Sequence, residues 1–245
     1  DEEEFYKGRT IAEEKSHGAW VWVILEGVVD IIKDTPQGPL TMLKIADGAY
    51  VGSMGAFLFQ STLRSFTAVA ATNVQLGVLD SQRLSNDYAA RSREFRELAL
   101  SLDKRLKEVT DKAVGMYLKK DNVKELLKDK KRFPVEADKL FSIKQGDACI
   151  IRKTKKARIP LVSLGRDDFI GHVPFVDIGH EPDGAEVFVS EDFEVTEMDP
   201  ESLQEEYEKL PVTLKNMIEN VATCISITTS SAVSFQKKKV QKKNK

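Results

Sequence analysis

Between Phe5 and Asp80 the apolar residues come in short bursts: Trp20 to Leu25, Val28 to Ile32, Leu40 to Ile45 and Val74 to Leu79. Gly27, Pro36-Gln37-Gly38 and Gly48 stand between them. Bursts of this length, rich in β-branched and aromatic side chains and separated by turn residues, predict strands of an antiparallel roll or barrel. Trp20 and Trp22 alternate with Val21 and Val23, which puts at least one indole in the core. The period changes near Ser92. From there Phe95, Leu98, Leu102, Leu106, Val109 and Val114 recur at spacings of 3 to 5 with charged residues between them, predicting one amphipathic helix from about Ser92 to Met116. Gly115 and Lys119-Lys120 mark a boundary, and Asp121 to Lys131 reads as a further charged helix ahead of Pro134.

Sliding the chain along itself uncovers a weak internal repeat. At an offset of 119, without a gap, Ile24 falls on Ile143, Gly27 on Gly146, Gly52 on Gly171, Asp80 on Asp199, Leu84 on Leu203 and Tyr88 on Tyr207. Apolar positions keep the register: Tyr50-Val51 meets Phe169-Ile170, and Leu98, Leu102 and Leu106 meet Met217, Val221 and Ile225. The expected fold is therefore mainly β with α: two tandem jelly-roll-like β-rolls, residues 1–119 and 120–245, each followed by amphipathic helices. Within each half, the helix is expected to pack on its own roll.

Composition narrows the function classes. Among 245 residues, 37 Lys+Arg nearly balance 39 Asp+Glu for a net charge of −2, which removes a general electrostatic drive toward nucleic acid or anionic membrane. Cys149 and Cys224 stand far apart without a CxxC, so neither a disulfide scaffold nor a zinc site is expected. No apolar run approaches the roughly 18 residues of a membrane span. The acidic start Asp1-Glu2-Glu3-Glu4 is the reverse of a signal peptide's basic region, which points to the cytoplasm. No nucleophile elbow, P-loop or dinucleotide fingerprint occurs, so no catalytic residues and no cofactor are expected. His172 and His180 lack the spacing of a cupin metal site and read as loop histidines. The lysine-rich end from Gln236 reads as a solvated tail.

The segment Gly48-Ala49-Tyr50-Val51-Gly52-Ser53-Met54-Gly55-Ala56-Phe57, followed by Arg64-Ser65-Phe66-Thr67-Ala68-Val69 and then Leu79-Asp80, resembles the phosphate-binding cassette of the cyclic nucleotide-binding domain family. Gly8-Arg9-Thr10-Ile11 and Val23-Ile24-Leu25-Glu26-Gly27-Val28 look like that family's upstream strands and turns. The resemblance implies a β-roll interrupted by a short helix and a cyclic nucleotide such as cAMP or cGMP as ligand. Gly52, Ser53, Met54, Arg64, Ser65 and Thr67 would line its phosphate. A buried arginine can hold a phosphate bidentately while backbone N–H groups complete the cradle. Ser53 stands where the family has a glutamate that accepts from the ribose hydroxyl, and a hydroxyl cannot supply that charge-assisted bond, worth about 1.5–3 kcal/mol.

In the second half, His172 falls on the glutamate position and Asp183 on the arginine position, so this copy is expected to bind no cyclic nucleotide. The resemblance further implies that helices 92–116 and 211–228 pair in a homodimer or with a partner protein. A second roll occupies the place where a family regulator would carry its helix-turn-helix, so direct DNA binding is not expected. The sequence reading therefore offers a non-enzymatic sensory module that signals through its long helix. Its alternative is an interaction or scaffold module whose cassettes have lost their ligand.

Overall fold

The computed structural model describes residues 1–59, 62–120, 122–154, 157–180 and 184–243. Two compact units emerge: residues 1–91 with 211–220, and residues 92–210 with 221 onward.

The first unit begins with β1 (Glu2–Phe5), β2 (Thr10–Ala12), β3 (His17–Gly18), β4 (Trp22–Glu26), β5 (Val28–Thr35), β6 (Gly38–Ala46) and β7 (Tyr50–Val51). The short helix α1 (Met54–Phe59) interrupts them, before β8 (Thr62–Leu63), β9 (Thr67–Ala70), β10 (Val74–Val78) and α2 (Ser81–Ala89). Two antiparallel sheets, ordered β1-β10-β4-β7 and β2-β9-β5-β6, and a ribbon β3-β8 result. β5 shows why the chain chooses strands here: Val29, Ile31 and Lys33 point inward while the residues between them are more exposed. Its hairpin with β6 turns through Pro36-Gln37. The Thr35 hydroxyl accepts from the Gln37 N–H at 3.1 Å and donates to the Gly38 carbonyl at 2.7 Å. Val21, Ile24, Val29 and Leu76 are almost wholly removed from water in the core. Trp22 is buried as well, whereas Trp20 is exposed. Asp80 caps α2 by accepting the Arg83 N–H at 3.0 Å.

The second unit opens with α3 (Arg93–Tyr117), whose N-cap hydroxyl, Ser92, accepts the Phe95 N–H at 3.1 Å. Then come α4 (Val123–Leu126), β11 (Lys131–Phe133), β12 (Leu140–Gln145), β13 (Ala148–Lys153), β14 (Arg158–Leu164), β15 (Phe169–Gly171), β16 (Ala185–Val189), β17 (Glu194–Glu197), α5 (Pro200–Glu208) and α6 (Val212–Lys243). Its sheets run β11-β16-β13-β14 and β15-β12-β17.

An offset of 119 carries α2 onto α5 residue for residue and the start of α3 onto the start of α6. It also carries the sheet order β2-β9-β5-β6 onto β11-β16-β13-β14. Gly52 and Gly171 both take positive φ, +129° and +111°, and Asp80 and Asp199 both cap the helix that follows them.

Two expectations meet corrections. The charged helix expected from Asp121 to Lys131 is a single turn, α4. Asn122 caps it, Leu127 leaves helical geometry, Asp129 turns to φ +60°, and the chain enters β11; Asp121 lies outside the described residues. The long helices do not each join their own roll: α3 packs in the second unit against β14, and α6 begins in the first. Leu98, Leu102, Val109, Leu214, Met217, Ile218, Val221 and Ile225, on the apolar stripes of these helices, are all buried. No helix among the described residues is long and apolar enough to cross a membrane.

Candidate functional site

β7 delivers the chain to Gly52, where φ is +129°. A side chain there is strained, and its Cβ would stand 3.2 Å from the Trp20 carbonyl oxygen and 3.0 Å from Val21 Cγ2. The chain then turns into α1, whose first turn closes with the Ala56 N–H donating to the Ser53 carbonyl at 3.1 Å. Met54 and Ala56 are buried and fasten the helix to the core.

After α1 the ribbon β3-β8 fixes the arginine. Its register sets His17 opposite Leu63 and Gly18 opposite Thr62. The Arg64 N–H donates to the Ser16 carbonyl at 2.9 Å, and the Arg64 carbonyl accepts the Lys15 N–H at 2.8 Å. The guanidinium lies over the Trp22 ring, 5.1 Å from its centroid, with Nη2 a loose 3.5 Å from the Trp20 carbonyl. Gly18 makes the space for it, since a Cβ there would fall 2.3 Å from Nη2. Burial draws the Arg64 pKa down, and among the described residues no carboxylate pairs with the guanidinium. Trp20 thus forms the meeting point of Gly52 and Arg64.

Ser65 and Thr67 serve a neighbouring knot. The Ser65 carbonyl accepts from Lys33 Nζ at 2.7 Å, and Lys33 in turn pairs with Glu14 at 2.8 Å. The Thr67 hydroxyl accepts the Glu14 N–H at 3.0 Å. Both contacts hold β9 and the strand before β3 in place.

The second unit is built differently at the corresponding place. Asp168 is buried, accepts from the Ser101 hydroxyl at 2.9 Å and from the Gly165 N–H at 2.8 Å, and pairs with Lys104. Arg105, wholly buried, stacks on Phe169 with its Cζ 4.0 Å from the ring centroid and donates to the Phe169 carbonyl. Its Nη1 lies 3.2 Å from His180 Nε2, and His180 Nδ1 lies 3.1 Å from the Thr229 hydroxyl. Burial, with Arg105 and Arg152 adding repulsion, holds His180 neutral well below the usual histidine range. His172 keeps its backbone N–H on the Lys139 carbonyl. Asp183 lies outside the described residues. The sequence reading missed Arg105, although it sits three residues after Leu102 and four before Val109, on the apolar stripe itself. His180 stands in the loop between β15 and β16, as read, and is buried there.

An antiparallel roll interrupted by a short helix, with an arginine set behind it, is the architecture of cyclic nucleotide-binding domains. Residues 2–89 match the family model of the cyclic nucleotide-binding domain. Among solved structures, cAMP-bound PfPKA-R aligns over 92% of this chain and 79% of its own at 19% identity and a TM-score of 0.33. A cyclic nucleotide-binding domain from Methylobacillus flagellatus aligns over 36% of this chain and 49% of its own at 28% identity and a TM-score of 0.32. The cAMP-bound EAL enzyme Bd1971 aligns over 62% of this chain and 37% of its own at 17% identity and a TM-score of 0.42. The chain thus spans less than half the length of the last two. No curated protein matches the chain.

Proposed function

We propose that the chain is a non-enzymatic regulatory module of the cytoplasm that binds a cyclic nucleotide in its first unit. Gly52, Ser53 and Met54 approach the phosphate from the start of α1, Arg64 pairs with it, and Ser65 and Thr67 keep β9 and its Lys33-Glu14 support in register. The observation that carries this reading is Arg64: a partly desolvated guanidinium, positioned by Gly18, Trp20 and Trp22, with no carboxylate to neutralise it among the described residues. A monoanionic phosphate would restore the solvation that burial removes from that charge and accept two parallel N–H bonds. Residues 120–245 form a second, degenerate copy, a reading supported by the shared strand order and the matched caps at Asp80 and Asp199. Arg105 and Asp168 knit its cassette region into the core, which leaves that copy a structural role. Ligand at α1 would reach the rest of the chain through α2, which packs on α1 and leads into α3.

Calorimetric titration with cAMP, cGMP and cyclic dinucleotides tests the reading. The expected outcome is micromolar binding that Arg64→Ala abolishes. Absence of heat at millimolar ligand, or binding indifferent to Arg64→Ala, overturns it. Ser53, in the place of the family's glutamate, favours a second reading, an interaction module whose cassette no longer takes a nucleotide. That reading gains if the titration is silent.

A further inference from the structure

The net charge of −2 hides a separation of charge along the chain. Residues 119–132 and 237–245 carry 13 of the 37 Lys+Arg but 3 of the 39 Asp+Glu, so a basic part of net +10 is joined to a remainder of net −12. The second unit brings the starts of the two basic segments together. Tyr117, at the end of α3, meets the Phe235 ring of α6 edge to face with centroids 5.4 Å apart, and α6 runs on from there to Lys243. Past Tyr117 the chain closes α3 with the Lys119 N–H on the Met116 carbonyl and the Lys120 N–H on the Gly115 carbonyl. That closure sets Lys119 at φ +59°, in the left-handed region where helix ends ordinarily place glycine. Lys119, Lys120, Lys124, Lys128 and Lys131 are exposed, and among the described residues none of them pairs with a carboxylate. The carbonyl end of α3 accounts for a cation in its last turn, but not for five lysines beyond it.

We propose that this basic end of the second unit is a docking surface for a phospholipid bilayer with anionic headgroups. Twelve of the 13 cations are lysines, and the one arginine, Arg132, already stands 3.7 Å from Glu186. Nucleic-acid sites lean on arginine, whose planar fork grips phosphate or guanine at two points. Lysine is a hydrated point charge, suited to a surface that offers negative potential without fixed geometry. A bilayer presents that potential as a plane, so lysines from the end of α3, from α4 and from β11 act on it together. Tyr117, 38% exposed beside them, adds a ring with an apolar body and a polar hydroxyl, the chemistry that settles at headgroup level. The acidic remainder is repelled by the same surface, which turns the basic end toward it. Contact of this kind grows with each lysine and fades with salt. It owes nothing to Arg64 or to the cassette of the first unit.

The test is flotation of the full chain with vesicles of phosphatidylcholine alone and of phosphatidylcholine with a third of phosphatidylserine. Binding is expected to the anionic vesicles only, falling about tenfold or more between about 0.05 M and about 0.5 M NaCl. The combined changes Lys119→Gln, Lys120→Gln, Lys124→Gln and Lys128→Gln should weaken it by about tenfold or more. A matched set on exposed lysines elsewhere, Lys7→Gln, Lys44→Gln, Lys153→Gln and Lys209→Gln, removes the same charge and should bind as wild type, as should Arg64→Ala. Melting temperatures check that every variant is folded. Equal loss in the two sets would mean that net charge rather than this surface governs, and overturns the proposal. Vesicle binding that survives the first set, or is missing in wild type, overturns it too. A short DNA duplex bound in preference to the vesicles would assign the lysines to nucleic acid and sink the membrane reading.

Discussion

The Arg64 head group occupies space that exists only because residue 18 has no side chain. A Cβ at Gly18 would fall 2.3 to 2.7 Å from three atoms of the guanidinium, which is the movable end of a flexible side chain. Gly18→Ala should therefore swing the arginine aside and weaken ligand binding as far as Arg64→Ala does, while costing less than about 1 kcal/mol of stability. Gly52→Ala is the contrasting case. There the new methyl meets the backbone of Trp20 and Val21, which cannot swing away, and the residue must hold φ at +129°. It should lower stability by about 1–3 kcal/mol. Urea melts and titrations run on both variants would separate the two effects; a Gly18→Ala protein that binds as wild type would show that the observed guanidinium position is not the one the ligand uses.

At the level of elements, what could be read from sequence was set by local chemistry. The start of α3 was legible because Ser92 is a capping residue directly ahead of an apolar stripe, and the β5-β6 hairpin because Thr35 and Gly38 bracket a turn with its own hydrogen bonds. Gly52 was legible as a turn position because its φ of +129° is one that glycine adopts readily. Periodicity tells which face of a helix is apolar but not what will cover it, which is why the placement of α3 against β14 was not foreseen. A polar residue on a stripe is equally opaque: Arg105 interrupts an apolar series, and nothing adjacent in sequence announces His180 or the Phe169 carbonyl as its neighbours. The cysteines belong to this scale too. Cys149 on β13 and Cys224 on α6 are buried, and burial pushes their thiols up to about 12 and about 11. The thiolate is the reactive form, so neither should be alkylated by iodoacetamide at pH 8 in the folded protein, and both should react on unfolding. Rapid labelling of either in the native state would mean that its element opens locally.

For the molecule as a whole, the most telling group is His180, because it joins three separate parts of the second unit: Arg105 from α3, Thr229 from α6, and its own segment between β15 and β16. The charged groups that face it, Arg105 and Arg152, are both cationic, and burial adds to their effect, so folding holds the imidazole neutral while the unfolded chain titrates near 6.5. The direction of the resulting pH dependence follows. Above 6.5 both states carry a neutral ring and the full stability is present. Below it the unfolded chain takes up a proton that the folded one refuses, so stability falls as pH drops, until the folded pKa is reached. Carboxylates scarcely titrate between pH 6.5 and 5.5, so this window isolates histidines. Thermal melts should show a plateau from pH 8 to 7 and a decline from 6.5 to 5.5. His180→Gln, which keeps a hydrogen-bonding side chain but has no proton to gain, should melt lower at pH 7 yet lose the decline. A decline that survives His180→Gln would place the acid sensitivity elsewhere and leave the buried Arg105-His180-Thr229 chain a packing device alone.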